Sequence, residues 1–290
     1  MAAAILVMGA TGTVGAAALD ALHAGAEPMA LVRDAERAAQ ALDRRTPFRV
    51  ADLANEGSVR AALEGVDAVL LCSAHGPAMR AQQMGAVRAI GASDVNRVVK
   101  ISGSPVSVSP DSSAGSGRDH FAIEEALDAI GCVTVAIRPS PFMQNFLEQA
   151  PLVGHGLLIG PDGEPRASFI DAGDIGRVAV TALLCEEPPN SVLEVTGPEA
   201  LTWFDVAATM TKVLGRTITP QPMSPESIRQ TLLGTGRPQW LVEHMLEVGA
   251  LLRDLKAAEV TDTVKRITGQ PPTTLDEFLT DRASAFQGAA

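Results

Sequence analysis

Over the first half of the chain, short apolar runs alternate with stretches whose apolar residues recur at helical spacing. The runs are AILVM (4–8), PMALV (28–32), FRV (48–50), AVLLC (68–72), RVVKIS (97–102) and VTVAIR (133–138). They are continuous rather than alternating, as in strands buried on both faces of a parallel sheet. Between them, Thr13 to Ala24 predicts a helix, Asp34 is placed to cap the next, and Asn55 beside Glu56 opens one reaching Leu63. Six strands joined by right-handed crossovers predict the α/β class, a doubly wound parallel-sheet Rossmann domain.

The rhythm breaks after Arg138. Pro139 and Pro141 interrupt it, and the Gly/Pro-rich stretch from Gly154 to Pro165 predicts a loop or hairpin over the site. ASFI (167–170) predicts a strand running into an Asp-capped helix, DAGDIGRVAVTALL, and VLEVTG (192–197) rejoins the sheet. Thr202 to Asp205 has capping-box spacing and opens a helix to Leu214. Further helices are predicted at Pro225–Leu233, Gln239–Ala257 and Leu275–Phe286, forming a small, mostly helical C-terminal lobe. Residues 1–150 are thus expected to be the nucleotide-binding core. Residues 151–290 combine a segment returning to that core, about 166–197, with a helical substrate lobe.

Composition narrows the function. Hydrophobic residues make up 46% and charged residues 20%, ordinary values for a globular protein. The formal charge of −11 opposes general attraction to nucleic acid or an anionic membrane, so neither is expected as a partner. Cys72, Cys132 and Cys185 stand far apart in apolar surroundings and read as reduced, buried thiols. His23, His75, His120, His155 and His244 show no ligand spacing, and no metal is expected. The opening MAAAILVMGATG has no basic stretch ahead of its apolar run, which predicts a strand and a cytoplasmic protein.

The first run leads into Gly9-Ala10-Thr11-Gly12-Thr13-Val14-Gly15 and then a helix. In that context Gly9 permits a tight turn, Gly12 lets the backbone approach a pyrophosphate, and Gly15 allows close packing of the helix. The helix start offers unpaired N–H groups to phosphate. A glycine-rich turn with no ligand, with Thr11 and Thr13 serving only as caps, is the plainer alternative. The second strand ends in Arg33, where an acidic residue would favour NAD. A guanidinium there suits the 2′-phosphate of NADP(H), unless it is simply a solvated surface arginine. Asp52 and Leu53 follow the third strand as candidate adenine neighbours, Asp52 being equally readable as a loop cap. Ser73, Ala74 and His75 follow the fourth strand, Ser102 the fifth and Pro139 the sixth, all at strand ends where open α/β sheets bind ligands.

Over nearly its whole length the chain resembles the NmrA-like branch of the atypical short-chain dehydrogenase/reductases. The segments carrying the match are GATGTVG, VRDAERA, VADL, VVKISGS, HFAIEEALDAIGCVTVAIRPSPFMQNF, FIDAGDIGRVAVTALL, LEVTGPEALTWFDVAATMTKVLGR and VTDTVKRITGQPPTTLDEF. The resemblance implies a Rossmann domain with a small substrate lobe, NADPH preference carried by Arg33, and reduction of quinones, enones or imines. It also allows a non-catalytic redox sensor that binds a regulatory protein.

The wider superfamily uses a Tyr-x-x-x-Lys pair to protonate the developing alkoxide. This chain has no tyrosine. The replacement is sought at the start of the helix after the fifth strand, where His120 stands one turn before Glu124. His120 is a candidate proton donor or ribose contact, or a helix-start histidine satisfied by its neighbours. Ser102 either polarises a carbonyl or caps a turn, and His75 is a second candidate donor. Ser104, Phe142, Met143 and Phe146 are candidate pocket walls, joined by Trp240 from the late helices. The three apolar residues of the 142–146 segment read equally well as core, and for Trp240 packing between lobe helices is the plainer reading. The leading expectation is a reductase passing hydride from NADPH to a small, flat, apolar acceptor. An NADP(H) sensor, or an isomerase or cyclase on the same fold with His120 as acid or base, are the alternatives.

Overall fold

Each apolar run of the first half is a strand in the structure, a computed structural model that describes residues 3–22, 26–43, 46–187, 192–253 and 255–287. His23 and the predicted end of the first helix lie outside these residues. β1 (Ala4–Val7), α1 (Thr13–Leu22), β2 (Glu27–Val32), α2 (Ala35–Ala41), β3 (Phe48–Val50), α3 (Glu56–Ala62), β4 (Ala68–Leu71), α4 (Met79–Gly91), β5 (Arg97–Ile101), α5 (Gly115–Asp128) and β6 (Val133–Pro139) alternate without a break. After a 3-10 turn over Met143–Gln149 come α6 (Ala150–Gly154), β7 (Leu157–Pro161), α7 (Ala172–Leu184) and β8 (Val192–Val195). The remainder is α8 (Trp203–Leu214), β9 (Thr219–Met223), α9 (Pro225–Gly234), α10 (Gln239–Leu251), α11 (Thr263–Thr268) and α12 (Leu275–Asp281).

Seven strands form one sheet in the order β3-β2-β1-β4-β5-β6-β8, and all of its pairings are parallel. The chain reverses direction across the sheet between β1 and β4, which opens a crevice beyond their carboxyl ends. Alternate side chains feed two cores. Ile5, Val7, Leu70, Val99 and Ile137 pack under α1 and α7, while Leu6, Val69, Leu71 and Val98 pack under α3, α4 and α5. A fully buried side chain of this size is worth about 1.5–3 kcal/mol, so the two faces fix the register of the inner strands, whereas the edge strand β3, expected to be buried, leaves Phe48 and Val50 exposed.

A third core gathers Met143, Phe146 and Phe169 with Met210 of α8, Phe278 of α12 and Phe286. The capping box predicted at Thr202 is present, with Asp205 N–H donating to Thr202 and the Asp205 carboxylate accepting from Thr202 N–H.

Three expectations are corrected. The stretch from Gly154 to Pro165 is not a loop over the site: its centre is β7, paired in parallel with β9 in a separate two-stranded sheet. Thr219 N–H donates to Gly156 O at 2.8 Å and Asp162 N–H to Met223 O at 3.0 Å, closing the two ends of that pair. ASFI is no strand, because Ala167 bridges to Leu201 and Ile170 to Phe142, two different neighbours that leave no room for a ladder. Two late helices are shorter than predicted. After α10 the chain returns toward the sheet, where Ala257 O accepts Ser168 N–H at 3.1 Å. After α12 it turns inward to bury Phe286.

Candidate active site

The glycine turn is dictated by close approach. Gly9 has φ of 68°, the left-handed region, and a Cβ there would lie 2.8 Å from the Cys72 carbonyl oxygen. A Cβ on Gly15 would lie 2.1 Å from the Gly9 carbonyl oxygen, so α1 can start against the end of β1 only without one. Gly12 N–H donates to Gly9 O at 2.9 Å and tightens the turn. The first N–H groups of α1 have no partner within the helix and carry its positive end. They open on a cleft of about 850 Å³.

Gly9, Thr11, Gly12, Thr13 and Val14 line the middle of this cleft. Arg33 and Asp34 line it at the end of β2, both exposed, and Leu53 lies beyond β3. Ser73, Ala74 and His75 follow β4; Ser102 ends β5, His120 comes from α5, and Phe142 follows β6.

Other expected residues lie elsewhere. Ala10 is buried beneath the turn and Pro139 at the end of β6, both outside the lining. Asp52 is also outside it, and its carboxylate accepts Ala54 N–H at 2.9 Å as a loop cap. Ser104 lines a separate pocket of about 200 Å³ with Ser140 and Thr196. Met143 and Phe146 are core, the Phe146 ring standing 4.9 Å from that of Phe169. Trp240 stands at the rim, its ring 5.8 Å from that of His75.

Charged groups cluster at the floor. The Ser102 hydroxyl donates to Glu124, which also takes Arg138 through Nε at 3.2 Å and its terminal nitrogen at 2.5 Å. Ser102 is therefore a hydrogen-bond acceptor, not a donor, toward the cleft. Lys100, wholly buried on β5, places Nζ 2.8 Å from His120 Nδ1 and donates to Ile101 O at 3.2 Å. Desolvation, the largest cause, lowers Lys100 from 10.5 to about 7, with Glu124 and Cys72 opposing and Arg138 assisting. Desolvation first, then Lys100, holds His120 well below its usual 6.5.

At the rim, His75 stacks on His244 of α10, with ring centroids 3.7 Å apart. Desolvation and then His244 push His75 down to about 4, against Asp119 and Glu247. Glu247 on the same helix accepts Gly115 N–H at 3.1 Å.

The sequence reading passed over Lys100, Arg138 and Gln83. The signal for Lys100 was available: a cation between Val99 and Ile101, inside a run predicted to be buried on both faces. Gln83, on α4, lines the cleft, donates to Ser73 Oγ at 2.8 Å, and leaves its buried Oε1 without a partner. The Cβ-free turn, the cation at the end of β2 and this unpaired acceptor together fit a dinucleotide.

Comparison with known proteins points the same way. The model of the NmrA-like family matches residues 1–279. The NAD(P)H azoreductase of Xenophilus azovorans is 34% identical over 99% of this chain and 100% of its own. Quinone oxidoreductase 2 of Escherichia coli (strain K12) is 28% identical over 95% of this chain and 97% of its own. The crystal structure of an Escherichia coli NADPH-dependent quinone oxidoreductase complexed with NADPH superposes with a TM-score of 0.87 at 25% identity, covering 96% of this chain and 99% of that one.

Proposed function

This chain belongs to the NmrA-like family, and from that premise we propose that it is an NADPH-dependent reductase of a small, conjugated, mainly apolar acceptor of the azo or quinone type. The observation that carries the reading is the continuous cleft running from Arg33 past the glycine turn to His120. Gly9 to Val14 would hold the pyrophosphate, Arg33 the 2′-phosphate, and Gln83 Oε1 would accept a hydrogen bond from the cofactor's nicotinamide half. A reduced nicotinamide bound there supplies hydride. The protein supplies position, a cleft whose wall near the acceptor includes Phe142, and a proton donor. With tyrosine absent, the cleft offers His75 and His120 as proton donors, and His120, the less exposed of the two and beside Lys100, is the one assigned to protonate the reduced acceptor.

Consumption of NADPH with a panel of azo dyes and quinones tests the reaction. Acceptor-dependent oxidation is expected, and its absence across the panel refutes the reading. Arg33→Asp tests the cofactor: Kd for NADPH should rise about tenfold or more while that for NADH changes little. Equal losses would refute the role of Arg33.

A further inference from the structure

A buried ammonium is costly unless it is paired. Lys100 forms no ion pair among the described residues, and the carboxylate nearest in function, Glu124, is held by Arg138 and Ser102. Besides the Ile101 carbonyl, what Lys100 Nζ contacts, at 2.8 Å, is the ring of His120, a cleft-lining side chain suited to give up a proton. Gly103 is shaped to this ring, since a Cβ there would lie 2.9 Å from His120 Cδ2. An imidazole that accepts an ammonium proton at Nδ1 carries its own hydrogen on Nε2.

We propose that Lys100 is the proton reservoir of the reaction, passing a proton from Nζ to His120 Nδ1 as His120 Nε2–H protonates the reduced acceptor. The inference rests on the reductase reading and deepens it. Once the acceptor's double bond has taken up the hydride that a bound reduced nicotinamide would supply at one atom, the π pair would lie at the other end of the conjugated system. That atom takes the Nε2 proton; the Nζ–H bond breaks as Nδ1–H forms, leaving a neutral amine. The resting state returns when Nε2 takes a proton from solvent and Nδ1 hands its own back to Nζ. Lys100 acts only through His120 and touches no reacting atom.

Its environment suits the task. Cys72 beyond β4, Glu124 and His120 on α5, and Arg138 on β6 face the ammonium, and His75 and His244 further disfavour a charge on His120. The balance puts the proton on lysine near neutrality and lets it leave within the working range.

The test uses the full-length protein and two variants, Lys100→Met and Lys100→Arg, the latter keeping a charge that cannot be released. In the wild type, kcat should fall as pH rises through about 7. Both variants should lose about a hundredfold in kcat and lose that limb, with Kd for NADPH unchanged. Nitrogen NMR of His120 is the readout independent of turnover. The wild-type ring should hold its proton on Nε2 with Nδ1 as acceptor, and Lys100→Met should release that tautomer. Retention of the pH limb and kcat in either variant, or an unchanged His120 tautomer in Lys100→Met, overturns the proposal. If Lys100→Met fails to fold, Lys100→Arg decides by its pH profile. A wild type that oxidises NADPH with none of the panel's acceptors refutes the reductase reading instead, and the tautomer still decides whether lysine and histidine share the proton.

Discussion

The floor and the rim of the cleft are built by opposite means. The floor is the carboxyl edge of a seven-stranded sheet, where β4 is buried throughout and β5 from Val98 to Ile101. The rim is α10, which reaches His75 through Trp240 and His244 and packs against α9; α9 buries no residue and α10 only Val242. What ties the rim down is a handful of polar and ring contacts: Arg237 to Glu148 at 3.0 Å, Arg253 to Asp162 at 2.6 Å, Glu247 to Gly115, and the His75–His244 stack. Surface pairs of this kind are each worth about 1 kcal/mol or less. In the proposed reaction, the core therefore sets the position of the reacting groups, and the rim sets which acceptors enter.

The largest expected effect breaks the floor. Gly15→Ala puts a methyl group 2.1 Å from the Gly9 carbonyl oxygen, so the turn must move. Denaturant unfolding should show a loss of about 3 kcal/mol, and a fluorescence titration should show NADPH binding weakened about a hundredfold or more. Wild-type binding in this variant would show that the turn is not what holds the cofactor. A middle-sized effect is expected at the rim. Trp240→Ala should raise KM for the acceptor about fivefold, roughly 1 kcal/mol, while kcat and unfolding stay as in the wild type. A kcat loss as large as that at the floor would erase the contrast.

The smallest effect is on pH. The folded His75 titrates near 4, below its ordinary 6.5, so the unfolded chain binds more protons in between. Stability from the neutral stack is complete above 6.5 and is lost as pH falls toward 4. Hydrogen exchange of α10 amides should quicken over that window, and His244→Ala should weaken the dependence. Exchange that is flat with pH would show the stack to be incidental.

The floor was legible in the sequence, whereas of the rim the sequence announced the two helices but not their contacts with the cleft. Continuous apolar strands, the strand-to-helix turn spaced by Gly9, Gly12 and Gly15, and the Thr202–Asp205 cap are local signals that fix the local backbone, whatever the turn binds. Lys100 was missed because a single cation in a strand has no period and its partner lies twenty residues away on a helix. Met143 and Phe146 satisfy core and pocket patterns equally, and only packing on Phe169 separates them. The glycines and prolines between Gly154 and Pro165 announce a turn but not that the strand inside it pairs with residues 219–223.

That remote pairing also governs how the protein behaves in a crowd of its own copies. Thr219 and Met223 direct their backbone groups to β7, so the intervening Pro220 and Pro222 face outward along the open side of β9. A strand from another molecule approaching that side meets two ring nitrogens with no hydrogen to give, and it cannot lengthen the sheet. Exchanging both prolines for threonine or valine would restore those donors and turn this edge into a template for assembly.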